Sequence, residues 1–183
     1  MDYNILVNKD NPLPRAHIPN NLVDAESKYK EKILVDKEVK IAFDRLKNEG
    51  LKYNYHIDIE SGYRDFDYQE KIYNKLLNEK GLAYTFRSIA KPGCSEHQTG
   101  LAIDICIYKD NKCYIEHELE DLEEIKWLID NSYKYGFILR YPRNMEDKTG
   151  YNYEPWHFRY VGDLAKYLYE NNMLLEDYYE KIK

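Results

Sequence analysis

Between Leu101 and Tyr108 the chain reads LAIDICIY, and no other stretch limits the fold as tightly. Side chains alternate along an extended strand, so Leu101, Ile103, Ile105 and Ile107 share one face while Ala102, Asp104 and Cys106 share the other. A strand with so apolar a back must lie on a core, which commits the chain to a covered sheet. Its front carries small residues and one carboxylate, leaving room for a ligand. The turn-rich segment SIAKPGCSEHQTG leads into it and sets His97 seven residues ahead of Asp104.

Around this strand the pattern predicts an α+β domain, with a small, mainly antiparallel sheet flanked by helices. Val35, Val39, Ala42, Phe43 and Leu46 stand at helical spacing, with Gly50 as the expected stop. Alternation around Ile57 and Ile59 predicts a strand over 54–60, and a helix through Ile72, Tyr73, Leu76 and Leu77 is stopped by Gly81. The segment LEEIKWLIDNSYKYG reads as a helix, GFILRY as a strand, and Trp156 to Val161 as a further strand. DLAKYLYENN and LLEDYYEKI read as closing helices. Loops are expected at 80–95 and 142–153. Residues 1–25, with Pro12, Pro14 and Pro19, read as an extended strap over one domain spanning 1–183.

Composition narrows the class. A chain of 183 residues, 43% hydrophobic and 33% charged, buries a core as one globular domain. A net charge of -6 argues against nucleic acid, whose phosphates call for a basic face. The acidic run EHELEDLEE at 116–124 reads as a solvated helix start. Cys94, Cys106 and Cys113 form no paired spacing and point to no disulfide framework. The opening MDYNILVNKDNPLPR has neither signal-peptide pattern nor membrane span, so the expected address is cytoplasmic if Met1 is the natural start. A domain trimmed from an anchored or exported protein would read the same.

Five histidines are available. His17 and His117 read as surface residues, and His56 as structural. His97 and His157 differ, because each adjoins a strand and has a carboxylate close by, Asp104 for the first and Glu154 for the second. Two imidazoles and a carboxylate suit zinc with an open fourth position, where a water's pKa falls to about 7. A second carboxylate outside the metal shell can take that water's proton, and Glu154 suits the role, set apart from His157 by Pro155. Either spacing alone recurs by chance, but the two together favour the metal. Arg64 could pair with a substrate carboxylate or an oxyanion. On local grounds a surface pairing with Asp65 or Asp67 is the simpler reading. Gln69 falls in the first turns of the following helix and could share the pocket, and Ser95 either caps a turn or meets a substrate terminus.

Taken together, SGYRDFDYQ, GLAYT, PGCSEHQTGLAIDI, YGFILRYP and YEPWHFRYVG, in this order, resemble the VanY/VanXY family of zinc D,D-peptidases. The resemblance runs from VNKDNPLP to RYVG and is nearest the VanXY type. It implies a Hedgehog/D-Ala-D-Ala-peptidase-like fold and a Zn2+ held by His97, Asp104 and His157. Glu154 would be the general base, Arg64 would stabilise the tetrahedral intermediate, and Gln69 and Ser95 would help hold the substrate. The implied substrates are D-Ala-D-Ala and peptidoglycan stem pentapeptides, with a link to vancomycin-type resistance or cell-wall metabolism. Two alternatives stand beside this: an L,D-carboxypeptidase trimming tetrapeptide stems, and a zinc-containing binding module without chemistry. Retention of Glu154 and Arg64 weighs against the binding module.

Overall fold

The computed structural model describes residues 2–182. β1 (Leu22–Asp24) and β2 (Leu34–Asp36) form a short antiparallel ribbon ahead of α1 (Lys37–Leu51). Next come β3 (His56–Ser61), α2 (Phe66–Lys80), α3 (Leu82–Ser88) and a 3-10 turn at Glu96–Thr99. β4 (Ala102–Lys109) and β5 (Lys112–Tyr114) make a hairpin, after which a second 3-10 turn at Glu116–Leu119 leads to α4 (Glu123–Asn131). The remaining elements are a third 3-10 turn at Ser132–Tyr135, β6 (Phe137–Leu139), α5 (Glu146–Thr149), β7 (His157–Tyr160), α6 (Leu164–Glu170) and α7 (Leu175–Ile182). The main sheet runs β3-β4-β7-β6, with β5 on β4, and every pairing is antiparallel.

β4 is the centre of this sheet, as its alternation predicts. Leu101, Ile103, Ile105 and Ile107 join Ile57, Ile59, Phe158, Val39, Phe43 and Leu46 in one buried cluster. Burial of each such side chain contributes about 1.5–3 kcal/mol. The front of β4 is covered too, since Ala102, Asp104 and Cys106 are at most 8% exposed. A second cluster gathers Val161, Ala165, Leu168 and Leu175 from the C-terminal helices, and Leu6 of the N-terminal segment packs on it. The two chain ends therefore meet on the same side of the fold. No helix among the described residues is long and apolar enough to cross a membrane.

Several local expectations shift. Val35 is in β2 rather than the helix, because Asp36 caps α1 by accepting from the Glu38 N–H at 2.9 Å. Gly50 does not end α1 but sits inside it, where a Cβ would lie 2.9 Å from Ile57 Cδ1. Its role is close packing on β3 rather than termination. Within the expected 80–95 loop, α3 forms with only Thr85 buried and with Leu82, Tyr84 and Phe86 exposed, so it carries no apolar stripe for a sequence to display. The acidic run splits between a 3-10 turn and the start of α4, and Leu119 and Glu124 within it are buried. All three cysteines are free thiols.

Candidate active site

The register of β4 and β7 does the first work. Asp104 stands directly opposite His157, and Ala102 opposite Arg159. Same-face pairs on adjacent antiparallel strands bring their side chains together, so Asp104, His157, Ala102 and Arg159 share the front of the sheet. The small residues expected there now have a use, since Ala102 leaves space beside the long Arg159 side chain. His97 arrives from the 3-10 turn at Glu96–Thr99. That turn reverses through Gly100 at φ 71°, where a Cβ would meet Leu22 Cδ2 at 2.9 Å. One ligand atom from each of His97, Asp104 and His157 lies within 4.8 Å of the others, and all three residues are buried.

The nitrogens facing this point are fixed by the bonds made elsewhere. His97 Nδ1 lies 2.6 Å from the Gly62 carbonyl, which can only accept, so the proton is on Nδ1 and Nε2 carries a lone pair. That Nε2 is buried without a hydrogen-bond partner, although Asp104 Oδ2 is 3.2 Å away. A lone pair against a carboxylate oxygen in a dry site repels unless a cation lies between them. His157 turns the other way: Nδ1 is 3.0 Å from Asp104 Oδ1 and 3.8 Å from Glu154 Oε2, while Nε2 faces Glu96 Oε2 at 3.4 Å. Two nitrogens and a carboxylate, all oriented inward, form a donor set that fits zinc.

Burial and the packed charges set the electrostatics of these groups. Burial lowers the His97 pKa to about 4, and the Arg64 guanidinium adds to the effect. His157 is pushed up to about 9, because bonds to Asp104 and Glu96 outweigh the cost of burial. Asp104 is held well below the usual carboxylate range against its own burial by the two imidazoles. Glu154 rises to about 7, chiefly through burial, opposed by His157 and reinforced by the charge of Asp104.

The other expected residues gather around the same point. Arg64 NH2 reaches Asp104 Oδ2 at 3.4 Å, and its Nε is buried without a partner. The local pairing with Asp65 or Asp67 does not form: Asp65 caps α2 through the Tyr68 N–H at 2.7 Å, and Asp67 pairs with Arg15 at 2.8 Å. Gln69 is buried, donating from Nε2 to the Ala90 carbonyl at 2.8 Å, while its Oε1 has no partner. Ser95 is buried and makes no capping bond with its side chain. Arg64, Gln69, Ser95, Glu154, His97, Asp104 and His157 line one cavity of about 370 Å³. Walls from both expected loops, including Tyr84, Ala90, Tyr151 and Tyr153, complete it. A larger cavity of about 810 Å³ between β6 and the C-terminal helices contains none of the histidines. Of the remaining histidines, His56 is exposed, while His117 is exposed yet lines the cavity rim, its ring 4.9 Å from that of Trp156. His17 is half-buried rather than on the surface.

Sequence reasoning passed over a cluster behind the site. Glu96 Oε1 accepts from Arg140 Nε and from Arg159 NH1, both at 2.8 Å. Arg140 continues to Glu176 on α7, at 2.9 and 2.5 Å. Arg159 NH2 donates to the carbonyls of Tyr3 and Ile5, at 3.0 and 2.8 Å. The available signal was arginine inside strand-like text, in FILRYP and HFRYV, where a fully buried charge demands a partner.

The comparisons with known proteins bear on this geometry. The family model VanY, D-alanyl-D-alanine carboxypeptidase, matches residues 32–163. The putative carboxypeptidase YodJ of Bacillus subtilis (strain 168) is 44% identical over 188 residues, covering 97% of this chain and 67% of that protein. A solved LdcB LD-carboxypeptidase aligns at TM-score 0.90 and 41% identity, covering 97% of this chain and 86% of that one. A mutant of the vancomycin resistance D,D-pentapeptidase VanY, from a VanB-type cassette and in complex with Zn(II), aligns at TM-score 0.83 and 31% identity, covering 98% and 99%. Each likeness is to a peptidase, which sets aside the reading as a binding module without chemistry. With its family model and these relatives spanning most of the sequence, the chain belongs to the VanY family of D-alanyl-D-alanine carboxypeptidases and is a peptidase.

Proposed function

We propose that this protein is a zinc-dependent D,D-peptidase that hydrolyses D-Ala-D-Ala, removes the terminal D-Ala of peptidoglycan precursor pentapeptides, or does both. The observation that carries the metal is the bare, buried Nε2 of His97 set against Asp104. His97 Nε2, Asp104 and His157 Nδ1 would hold the zinc, and Glu154 stays outside that set. Zinc, when bound, supplies Lewis acidity toward the scissile carbonyl.

The chain's own groups divide the rest of the work. Glu154 takes a proton from the attacking water and returns it to the leaving amine, a role suited to a carboxyl pushed toward neutrality by burial. Arg64 extends over Asp104 and is placed to bear the oxyanion of the tetrahedral intermediate. Gln69 Oε1, which has no partner, and Ser95 offer an acceptor and a hydroxyl to the peptide's polar groups. Activity on D-Ala-D-Ala ends would connect the protein to glycopeptide resistance or cell-wall metabolism.

A second reading is an L,D-carboxypeptidase trimming tetrapeptide stems, and the likeness to LdcB at 41% identity favours it. Both readings use the same metal and base and differ in the stereochemistry on the acyl side of the cut bond. Incubating the zinc-loaded protein with D-Ala-D-Ala, a stem pentapeptide and a stem tetrapeptide, with product analysis, separates them. Cleavage of the first two supports the D,D reading, and cleavage of the tetrapeptide alone replaces it with the L,D one. Free dipeptide is a substrate inside the cell, so the preferred substrate also bears on where the protein works.

A further inference from the structure

Glu96 and His97 are neighbours in sequence and face different partners. His97 turns to Gly62 and Asp104, while the Glu96 carboxylate lies behind His157. Glu96 is 1% exposed, and its two oxygens are divided: Oε1 takes both arginines, and Oε2 faces His157 Nε2. We propose that Glu96 is the positioning residue of His157, accepting its Nε2–H so that Nδ1 is the nitrogen turned to Asp104. Arg140 and Arg159 hold Glu96 in turn, and both chain ends anchor those arginines. The inference rests on the reading of His97, Asp104 and His157 as the zinc site.

The alternative is that Glu96 is there only to satisfy two buried arginines. The geometry argues otherwise. Arg140 already has Glu176, and Arg159 already has the Tyr3 and Ile5 carbonyls. A buried ionic network is weak evidence for stability, because desolvation offsets most of the attraction. Such a network is well suited to fixing orientation. Without an acceptor behind it, the His157 ring is free to turn and place Nε2 or a carbon toward Asp104. A carboxylate behind a metal-binding histidine also raises the basicity of the ring, and loss of such partners weakens metal binding by roughly 10–100-fold.

The chain ends enter through the arginines. Glu176 lies on α7 and Tyr3 and Ile5 in the opening segment, so the orientation of a ligand on β7 depends on both. The effect should fade with distance along this path, and Glu176→Gln should weaken zinc binding less than Glu96→Ala does.

The test is zinc affinity by chelator competition, the visible spectrum of the cobalt-loaded protein, and NMR of the His157 ring. Wild type should bind one zinc and show a slowly exchanging Nε2 proton on His157, with or without metal. Glu96→Ala should bind zinc about 10–100-fold more weakly, change the cobalt spectrum and lose that proton signal. Glu96→Gln keeps the side-chain volume but only one acceptor oxygen. With that oxygen held by the two arginines its NH2 faces Nε2, so affinity should stay near that of Glu96→Ala, which a merely space-filling role would not produce. A folded Glu96→Ala protein with wild-type affinity and an unchanged cobalt spectrum overturns the proposal. Should that variant fail to fold, the fourfold change E96M/R140M/R159M/E176Q removes all four charges together and must show the same loss. Wild-type affinity there overturns the proposal as well. Absence of stoichiometric zinc in wild type would instead sink the metal reading, and the His157 proton signal would still report on Glu96.

Discussion

His157 stands between two charge clusters built on opposite rules. Behind it, Glu96, Arg140, Arg159 and Glu176 pair with one another, two charges of each sign, and the Tyr3 and Ile5 carbonyls accept from Arg159. In front, His97 Nε2, Arg64 Nε and Gln69 Oε1 are all without partners. Those three atoms are themselves buried, so the contrast is not one of solvent. A fold that satisfies one set of polar groups so fully can satisfy another, and leaves groups open where a ligand is to complete them. The rear cluster holds geometry, and the front cluster holds unmet valence.

The sharpest way to probe this contrast is Glu154→Ala. If Glu154 is the general base proposed above, this change should lower kcat by about 10²–10⁴-fold while zinc stoichiometry stays at the wild-type level, as read by turnover assays beside metal analysis. Retention of most activity would show that the front cluster works without that base. Next in size, Arg159→Met breaks the rear cluster, leaving Glu96 with one arginine and the Tyr3 and Ile5 carbonyls without their donor. A loss of about 3–5 kcal/mol in urea denaturation is expected. A loss under 1 kcal/mol would mean that the rear cluster is no better determined than the front.

Metal removal tests the front cluster more gently. Zinc at a hundredfold excess over its dissociation constant should stabilise the fold by about 2.7 kcal/mol, visible as a fall in Tm on adding chelator. No fall would mean that the open valences are not completed by metal. The smallest effect is expected at the exposed pair of Lys148 with Asp177, 2.6 Å apart. The hydrogen bond to Lys148 lowers the Asp177 pKa. Its contribution is therefore present above the ordinary carboxylate value and is lost as pH falls through the lowered one. Lys148→Ala should move Tm by about 1 °C or less and flatten that acid limb, because exposed pairs are screened by solvent. A larger shift would mark this pair as part of the coupling between α7 and the site.

What was legible follows from what repeats in a sequence. The period of two in LAIDICIY located the central strand and the face that carries Asp104. Helical spacing located α1, α2 and the C-terminal helices. β1, β2 and β5 escaped, with three residues each and too few for a period to register, while the equally short β6 was legible from its apolar run after Gly136. α3 escaped for the opposite reason, since its apolar residues point to solvent. Within the site, histidines and acids near strand ends are conspicuous by residue type alone. Glu96 was not, because a glutamate beside a histidine in a loop reads like any surface acid.

The sequence by itself determined an α+β chain with a strand bearing Asp104 on its small-residue face, and two histidines each with an acid nearby. Its motifs carried the resemblance to zinc D,D-peptidases. Only the tertiary structure decided that Asp104 pairs with His157 across β4 and β7, which nitrogen of each imidazole turns inward, and that Arg64 serves Asp104 rather than its neighbours. Local chemistry fixes what a residue can do, and strand register fixes what it meets. Register depends on contacts between residues far apart in sequence, such as the 53 positions separating Asp104 from His157. A linear pattern holds no record of those contacts.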